Sequence, residues 1–186
     1  MKKVAKWAIL LVSLAIVFEG VVWINRPSVP STHQPKLSEQ AIRVAPLTGY
    51  RVPPFSLPGF PDSKPISLAD FQGKAVLINF WASWCPPCQS ETPDLVKAFA
   101  KYGDKVQFVG VNLSSQDSLQ DVTAFIKKYG VEYPVVLDTK GTVAQQFQTM
   151  AIPTSFFVNR EGIIVERYVG AITPQVLEAD LQKISQ

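Results

Sequence analysis

The feature that most constrains this chain is the run Asn79-Phe80-Trp81-Ala82-Ser83-Trp84-Cys85-Pro86-Pro87-Cys88, which holds both of its cysteines. The apolar stretch Ala75-Val76-Leu77-Ile78 before it reads as a buried strand, and Leu95, Val96 and Phe99 after it are spaced like a helix. The cysteines therefore stand where a strand gives way to a helix. Prolines in the first turn of a helix remove no hydrogen bond, because those N–H groups have no intrahelical partner. Cys85 falls at or beside the N-cap, where the helix dipole and free N–H groups favour a thiolate. Cys88 lies one turn further in on the same face, within reach of a mixed disulfide formed at Cys85.

A purely structural bridge is a poor reason for this spacing, since closing a two-residue loop restricts the unfolded chain much less than closing a long one. A zinc site needs two more ligands, and the single histidine, His33, stands far off in a polar stretch. No metal and no cofactor are expected. The strand before the pair, Trp84 next to it and the helix after it point to redox exchange.

At this point the residues resemble a family. Phe80 to Cys88, Pro93 in the following helix and Ile152-Pro153-Thr154 downstream are similar to the thioredoxin superfamily. An apolar N-terminal segment and the lead-in Pro54-Phe55-Ser56-Leu57 narrow the likeness to the membrane-anchored ResA/TlpA-type thiol-disulfide oxidoreductases of bacteria, over about residues 50–186.

The 186 residues suffice for one domain with a real core. The net charge of +3 is local: without Lys2, Lys3, Lys6 and Glu19 the chain carries 15 bases and 14 acids, which gives no reason to expect nucleic-acid binding. Residues 1–6 read as a cytoplasmic N-terminus. Trp7 to Ile24 is an apolar stretch of 18 residues with Glu19 as its one charge. At 1.5 Å per residue a helix of that length spans about 27 Å, just enough for the hydrocarbon layer. The preceding lysines and the bracketing Trp7 and Trp23 predict an uncleaved signal-anchor with the remainder outside the cytoplasm. A cleaved signal peptide is the competing reading, but Glu19-Gly20-Val21-Val22-Trp23 offers no small-x-small site. Residues 25–46, rich in Pro, Ser and Thr, read as a flexible tether, and 47–186 as the catalytic domain.

Within that domain, Phe55–Leu57 and Pro65–Leu68 predict an N-terminal β-hairpin, and Ala75–Phe80 the central strand. The active-site helix runs from about Cys85 to Tyr102 with Pro93 inside it and Gly103 ending it. Val106–Val111 predicts a strand, Ser118–Tyr129 a helix, Tyr133–Leu137 a strand and Thr142–Phe147 a short helix. Thr154–Val158 and Ile163–Val169 form a second hairpin, and a last helix starts at Thr173-Pro174 and ends near Ile184. The fold expected is α/β, a thioredoxin-like mixed sheet flanked by helices on both faces.

Cys85 is the nucleophile by its place at the helix start, and Cys88 the resolving thiol. Asn79 interrupts an apolar strand. The resemblance puts an acid at this position in thioredoxins, a role asparagine cannot fill. Glu91 stands three residues past Cys88, one turn away on the same side. The resemblance implies that a glutamate there acts on the thiols, as proton acceptor or modulator of their acidity. It also implies a cis-proline at Pro153 facing the cysteines, with the Ile152 backbone pairing with substrate. Trp84, Pro86, Pro87 and Thr154 complete the expected substrate surface, with packing as the other reading of Trp84. Trp81 reads as packing.

The resemblance implies a monomeric reductase of protein disulfides such as those of apocytochrome c, fed by a CcdA-type membrane electron donor. A sporulation-related disulfide reductase and a disulfide-introducing oxidase are its near rivals. A peroxidase shares the lead-in, but it needs Pro and Thr or Ser where this chain has Ile78 and Ala82.

Overall fold

The computed structural model describes residues 43–186. The expected N-terminus 1–6, signal-anchor 7–24 and all but the last four residues of the tether lie outside the described residues. Among the described residues no helix is long and apolar enough to cross a membrane.

Seven strands make one mixed sheet. In chain order the elements are β1 (Ser56–Phe60), β2 (Pro65–Ser67), a 3-10 turn (Leu68–Phe71), β3 (Ala75–Trp81), α1 (Pro86–Tyr102), β4 (Val106–Asn112), α2 (Leu119–Tyr129), β5 (Val135–Leu137), α3 (Thr142–Gln146), β6 (Thr154–Val158), β7 (Ile164–Val169) and α4 (Pro174–Ile184). The strand order is β2-β1-β5-β4-β3-β6-β7. The inner pairs β3–β4 and β4–β5 are parallel, while β1–β2, β1–β5, β3–β6 and β6–β7 are antiparallel.

β3 is buried at every residue, as a strand covered on both faces must be. Its odd residues Ala75 and Leu77 meet Leu95, Ala98 and Tyr102 of α1 and Leu177 and Leu181 of α4. Its even residues Val76, Ile78 and Phe80 face the other core, with Val143, Phe147 and Phe156. Phe80, Phe147 and Phe156 form a ring cluster with centroids 5.1 to 5.9 Å apart. The predicted strand from Tyr133 shortens to Val135–Leu137, because Pro134 has no N–H and only its carbonyl joins the ladder, accepting from Gly110.

α1 carries its helical assignment through Pro93, whose side is exposed. Gly103 ends it with a right-handed φ of −57°, so the glycine is not there for a left-handed turn. Close approach explains it: a Cβ would sit 2.7 Å from the Phe99 carbonyl oxygen. Gly110 on β4 is a second such place, where a Cβ would stand 2.9 Å from Trp81 Nε1 and 3.2 Å from the Tyr133 ring. Trp81 is held by Phe125 of α2, centroids 4.4 Å apart, and roots the turn that leads to Cys85. Gly110→Ala is therefore expected to destabilise the domain by about 2 kcal/mol through overpacking. Chemical denaturation checks it; a midpoint shift near zero would show that Trp81 yields freely.

Residues 43–52 lie against the far end of β7. Arg51 N–H donates to the Arg43 carbonyl, Gly49 N–H to that of Ile164, and Val52 N–H to that of Gly162. Ile164 is across from Val158, and Val158 across from Val76 near the start of β3.

Candidate active site

β3 ends at Trp81, and the chain turns through Ala82-Ser83-Trp84 into α1 with Cys85 as N-cap. Pro86 and Pro87 occupy the first turn, where no N–H is missed. Cys85 and Cys88 are joined by a disulfide, their Cα atoms 5.3 Å apart. The Cys88 N–H donates to Cys85 Sγ at 3.2 Å, so a thiolate at Cys85 gains a backbone donor besides the helix dipole. Both sulfurs are almost covered: Cys85 is 2% exposed and Cys88 1%. Exposure therefore does not separate the two cysteines; position on the helix does.

Cys85 Sγ also lies 3.6 Å from the Ile152 carbonyl oxygen, within reach of an S–H once the pair is reduced. Ile152-Pro153 is a cis peptide. Thus the structure brings together the two places, 67 residues apart, that the motif reading had singled out. Trp84, Pro86 and Pro87 are exposed, Ile152 is half-buried, and Pro153 and Thr154 are buried. The Thr154 hydroxyl donates to the Ala151 carbonyl at 2.7 Å, so this side chain braces the loop and offers no surface. Trp84 is 52% exposed, and its indole N–H donates to the Gln116 carbonyl at 2.8 Å. Its ring is both anchored and open to a partner.

Beneath the cysteines lies a buried polar group. Glu91, on α1, is 3% exposed. Its Oε1 accepts from Asn79 Nδ2 at 2.8 Å, and its Oε2 from the Ile172 N–H at 3.0 Å. Asn79 Nδ2 donates as well to Ser155 Oγ at 2.9 Å, across the β3–β6 pair in which these residues are opposite. Desolvation raises the Glu91 carboxyl to about 7, opposed by the two donated bonds. A carboxyl with a midpoint there can give or take a proton at neutral pH. Tyr133, buried as well, is pushed up first by desolvation and then by the Glu91 charge.

Sequence reasoning missed Ser155, Ile172 and Asp117 as members of this site. Asp117 stands just before α2 in a position where an aspartate often caps a helix, but the cap is Ser118, and Asp117 reaches back to Ser83. Only Asn79, as a polar residue in an apolar strand, signalled that such partners had to exist.

A cavity of about 500 Å³ lies at the other end of β3, walled by Val52, Leu68, Phe71, Val76 and Val158. It includes neither cysteine. Exchange with a disulfide carried on another protein uses an exposed rim and needs no enclosed pocket.

The redoxin family profile matches residues 47–183. The chain belongs to the redoxin family. This redoxin is 38% identical over 134 residues to the thioredoxin-like protein YneN of Bacillus subtilis, covering 72% of this chain and 78% of that protein. It is 34% identical over 125 residues to the thiol-disulfide oxidoreductase ResA of Bacillus thuringiensis, covering 67% and 71%. Among solved structures it resembles StoA from Bacillus subtilis, with a TM-score of 0.60 and 33% identity over 69% of this chain and 96% of that one. A thiol:disulfide interchange protein of Chlorobium tepidum gives a TM-score of 0.66 and 30% identity over 73% and 96%. The redoxin is thus a thiol-disulfide oxidoreductase of the ResA type in the thioredoxin superfamily, and protein disulfides are its class of substrate.

Proposed function

We propose that this redoxin is a membrane-tethered reductase acting outside the cytoplasm, and that Cys85 attacks, Cys88 resolves and Glu91 handles the proton. The Cys85 thiolate attacks one sulfur of a substrate disulfide and the other sulfur leaves as a thiolate, giving a mixed disulfide. Cys88, losing its proton, attacks Cys85 Sγ; the second substrate sulfur leaves, and the enzyme holds the Cys85–Cys88 disulfide. Two electrons have passed to the substrate, and a membrane donor of the CcdA type restores the dithiol. Glu91 takes the Cys88 proton. The observation that carries this reading is the cysteine pair at the head of α1, set against the Ile152-Pro153 loop with a buried carboxyl of raised pKa one turn on.

Trp84, Pro86, Pro87 and the Ile152 backbone form the rim on which substrate docks. Disulfides of apocytochrome c are the proposed substrate, as the resemblance of the motifs to the ResA/TlpA type implies, with a sporulation-related disulfide as the near variant.

Measuring the reduction potential of the pair tests the direction of flow. A value near about −270 mV or lower fits a reductase fed across a membrane, whereas one near about −120 mV would mark an oxidant and remove the proposal. Cys88→Ser is expected to trap substrate as a stable mixed disulfide on Cys85, visible on a non-reducing gel. Free release of the substrate would refute the resolving role.

A further inference from the structure

The turn that presents Cys85 is held from outside its own helix. Ser83 N–H donates to Asp117 Oδ2 at 2.7 Å, and Ser83 Oγ–H donates to Asp117 Oδ1 at 2.5 Å. Asn112, fully buried at the end of β4, donates from Nδ2 to Asp117 Oδ2 at 2.9 Å; its own Oδ1 accepts from Ser114 Oγ at 2.7 Å. The neighbouring Gln116 carbonyl takes the Trp84 indole N–H. On the other side Gln89 Nε2 donates to the Ser83 carbonyl at 2.7 Å. Ser83 thus has its N–H, hydroxyl and carbonyl all engaged, and two of the three bonds end on one carboxylate.

We infer that Asp117 is a positioning residue for thiol exchange: it clamps Ser83 and sets a negative charge behind Cys85 that opposes the thiolate. The inference rests on the reading of Cys85 as nucleophile. Trp84 alone stands between Ser83 and Cys85, so their Cα atoms are at most about 7 Å apart, comparable with the screening length of about 8 Å in a physiological salt solution. A carboxylate bonded to the turn residue two positions before Cys85 disfavours a thiolate there, and a less stable thiolate makes the disulfide harder to reduce. The clamp and the charge therefore act together. The clamp keeps the turn in the geometry that lets Cys85 cap α1, and the charge biases the pair toward a reductase. Glu91 on α1 and Tyr129, which packs against the apolar cluster around the cysteines, are further ionisable side chains near the pair; Trp81, Phe125 and Ile152 in the same surroundings carry no charge.

The experiment equilibrates the protein with glutathione buffers at pH 7 and follows alkylation of the reduced form, comparing wild type, Asp117→Asn and Asp117→Glu. Asp117→Asn keeps an acceptor for Ser83 and loses the charge; it is expected to shift the equilibrium about three- to tenfold toward the dithiol. Asp117→Glu keeps the charge and is expected to stay within about twofold of wild type, while reducing protein disulfides more slowly because the fit to Ser83 is lost. Equal shifts in both variants, or none in Asp117→Asn, overturn the inference, since a merely structural side chain would not distinguish them. Should Asp117→Asn fail to fold, Ser83→Ala, which removes the hydroxyl bond alone, must slow exchange without moving the equilibrium; an unchanged rate overturns the clamp. Wild type that alkylates first at Cys88 overturns the nucleophile assignment and this inference with it. Wild type that alkylates at Cys85 with unmoved variants overturns the inference alone.

Discussion

Cys85→Ser leaves reduction of a disulfide-bonded protein at least about a thousandfold below wild type, because the thiolate is the attacking group and an alcohol does not exchange with a disulfide. The fold survives the change. A disulfide closing a two-residue loop contributes little constraint to the unfolded chain, and the side chain removed and the one introduced are close in size. Circular dichroism should therefore match wild type while turnover disappears. Serine at 85 also keeps the N-cap occupied by a residue well suited to it, so α1 loses nothing at its start. Substrate that still binds without being reduced would separate the chemistry from the docking rim at Trp84 and Ile152. Persistent turnover would mean that Cys88 can begin the reaction and that its place one turn inside the helix does not bar it.

Glu91→Gln has the second largest expected effect, and it concerns stability against pH. In the folded oxidised protein Glu91 holds its proton to about 7, whereas the ordinary value in an unfolded chain is 4.5. Between those values the folded state binds more protons, so stability is greatest below pH 4.5 and falls as pH rises through 7. The separation corresponds to an upper bound of about 3 kcal/mol lost across that window. Glutamine cannot ionise, yet its carbonyl can still accept one of the bonds from Asn79 or Ile172. The variant is expected to lose this part of the pH dependence and to be the more stable protein above pH 7. Melting temperatures of both proteins from pH 4 to 9 decide the matter; parallel curves would remove the raised carboxyl from the account. The same substitution should displace the pH–rate profile of disulfide reduction, and an unmoved profile would end the assignment of Glu91 as base.

A carboxyl buried at this depth destabilises the protein that carries it, and its donors only partly offset the desolvation. Its retention at neutral pH makes sense where a proton has to leave Cys88 during resolution. Asn79 suits that arrangement because it donates to the carboxyl without competing for the proton.

Much of this was readable before any coordinates. The strand–turn–helix around Cys85 follows from an apolar run, two prolines and a helical stripe, all local in the chain. Glu91 was visible through the family resemblance, with its helical spacing from Cys88 putting it on the same side of α1. What could not be read were contacts set by register between distant strands. Asn79 meets Ser155 only because β3 and β6 pair with these two residues opposite each other, 76 positions apart. Ile172 reaches Glu91 through its backbone N–H, which no side-chain pattern can advertise. Asp117 carried a misleading local signal: before a helix an aspartate resembles a cap, and Ser118 beside it took that place. The membership of β1 in the sheet was equally hidden, since it lies beside β5, almost eighty residues further along the chain.

The strap of residues 43–52 fixes where force enters the domain. Arg43 is bonded beside Arg51, at the margin of the sheet where β3 begins, while the cysteines follow the other end of that strand. Seven strand residues separate the two, about 23 Å. Under the proposed tethering, a pull through Arg43 would act on the butt of a lever whose tip is the Cys85 turn. The cysteines thus stand at the end of β3 away from the strap, and under the proposed tethering a donor and a substrate would both meet them on that one face.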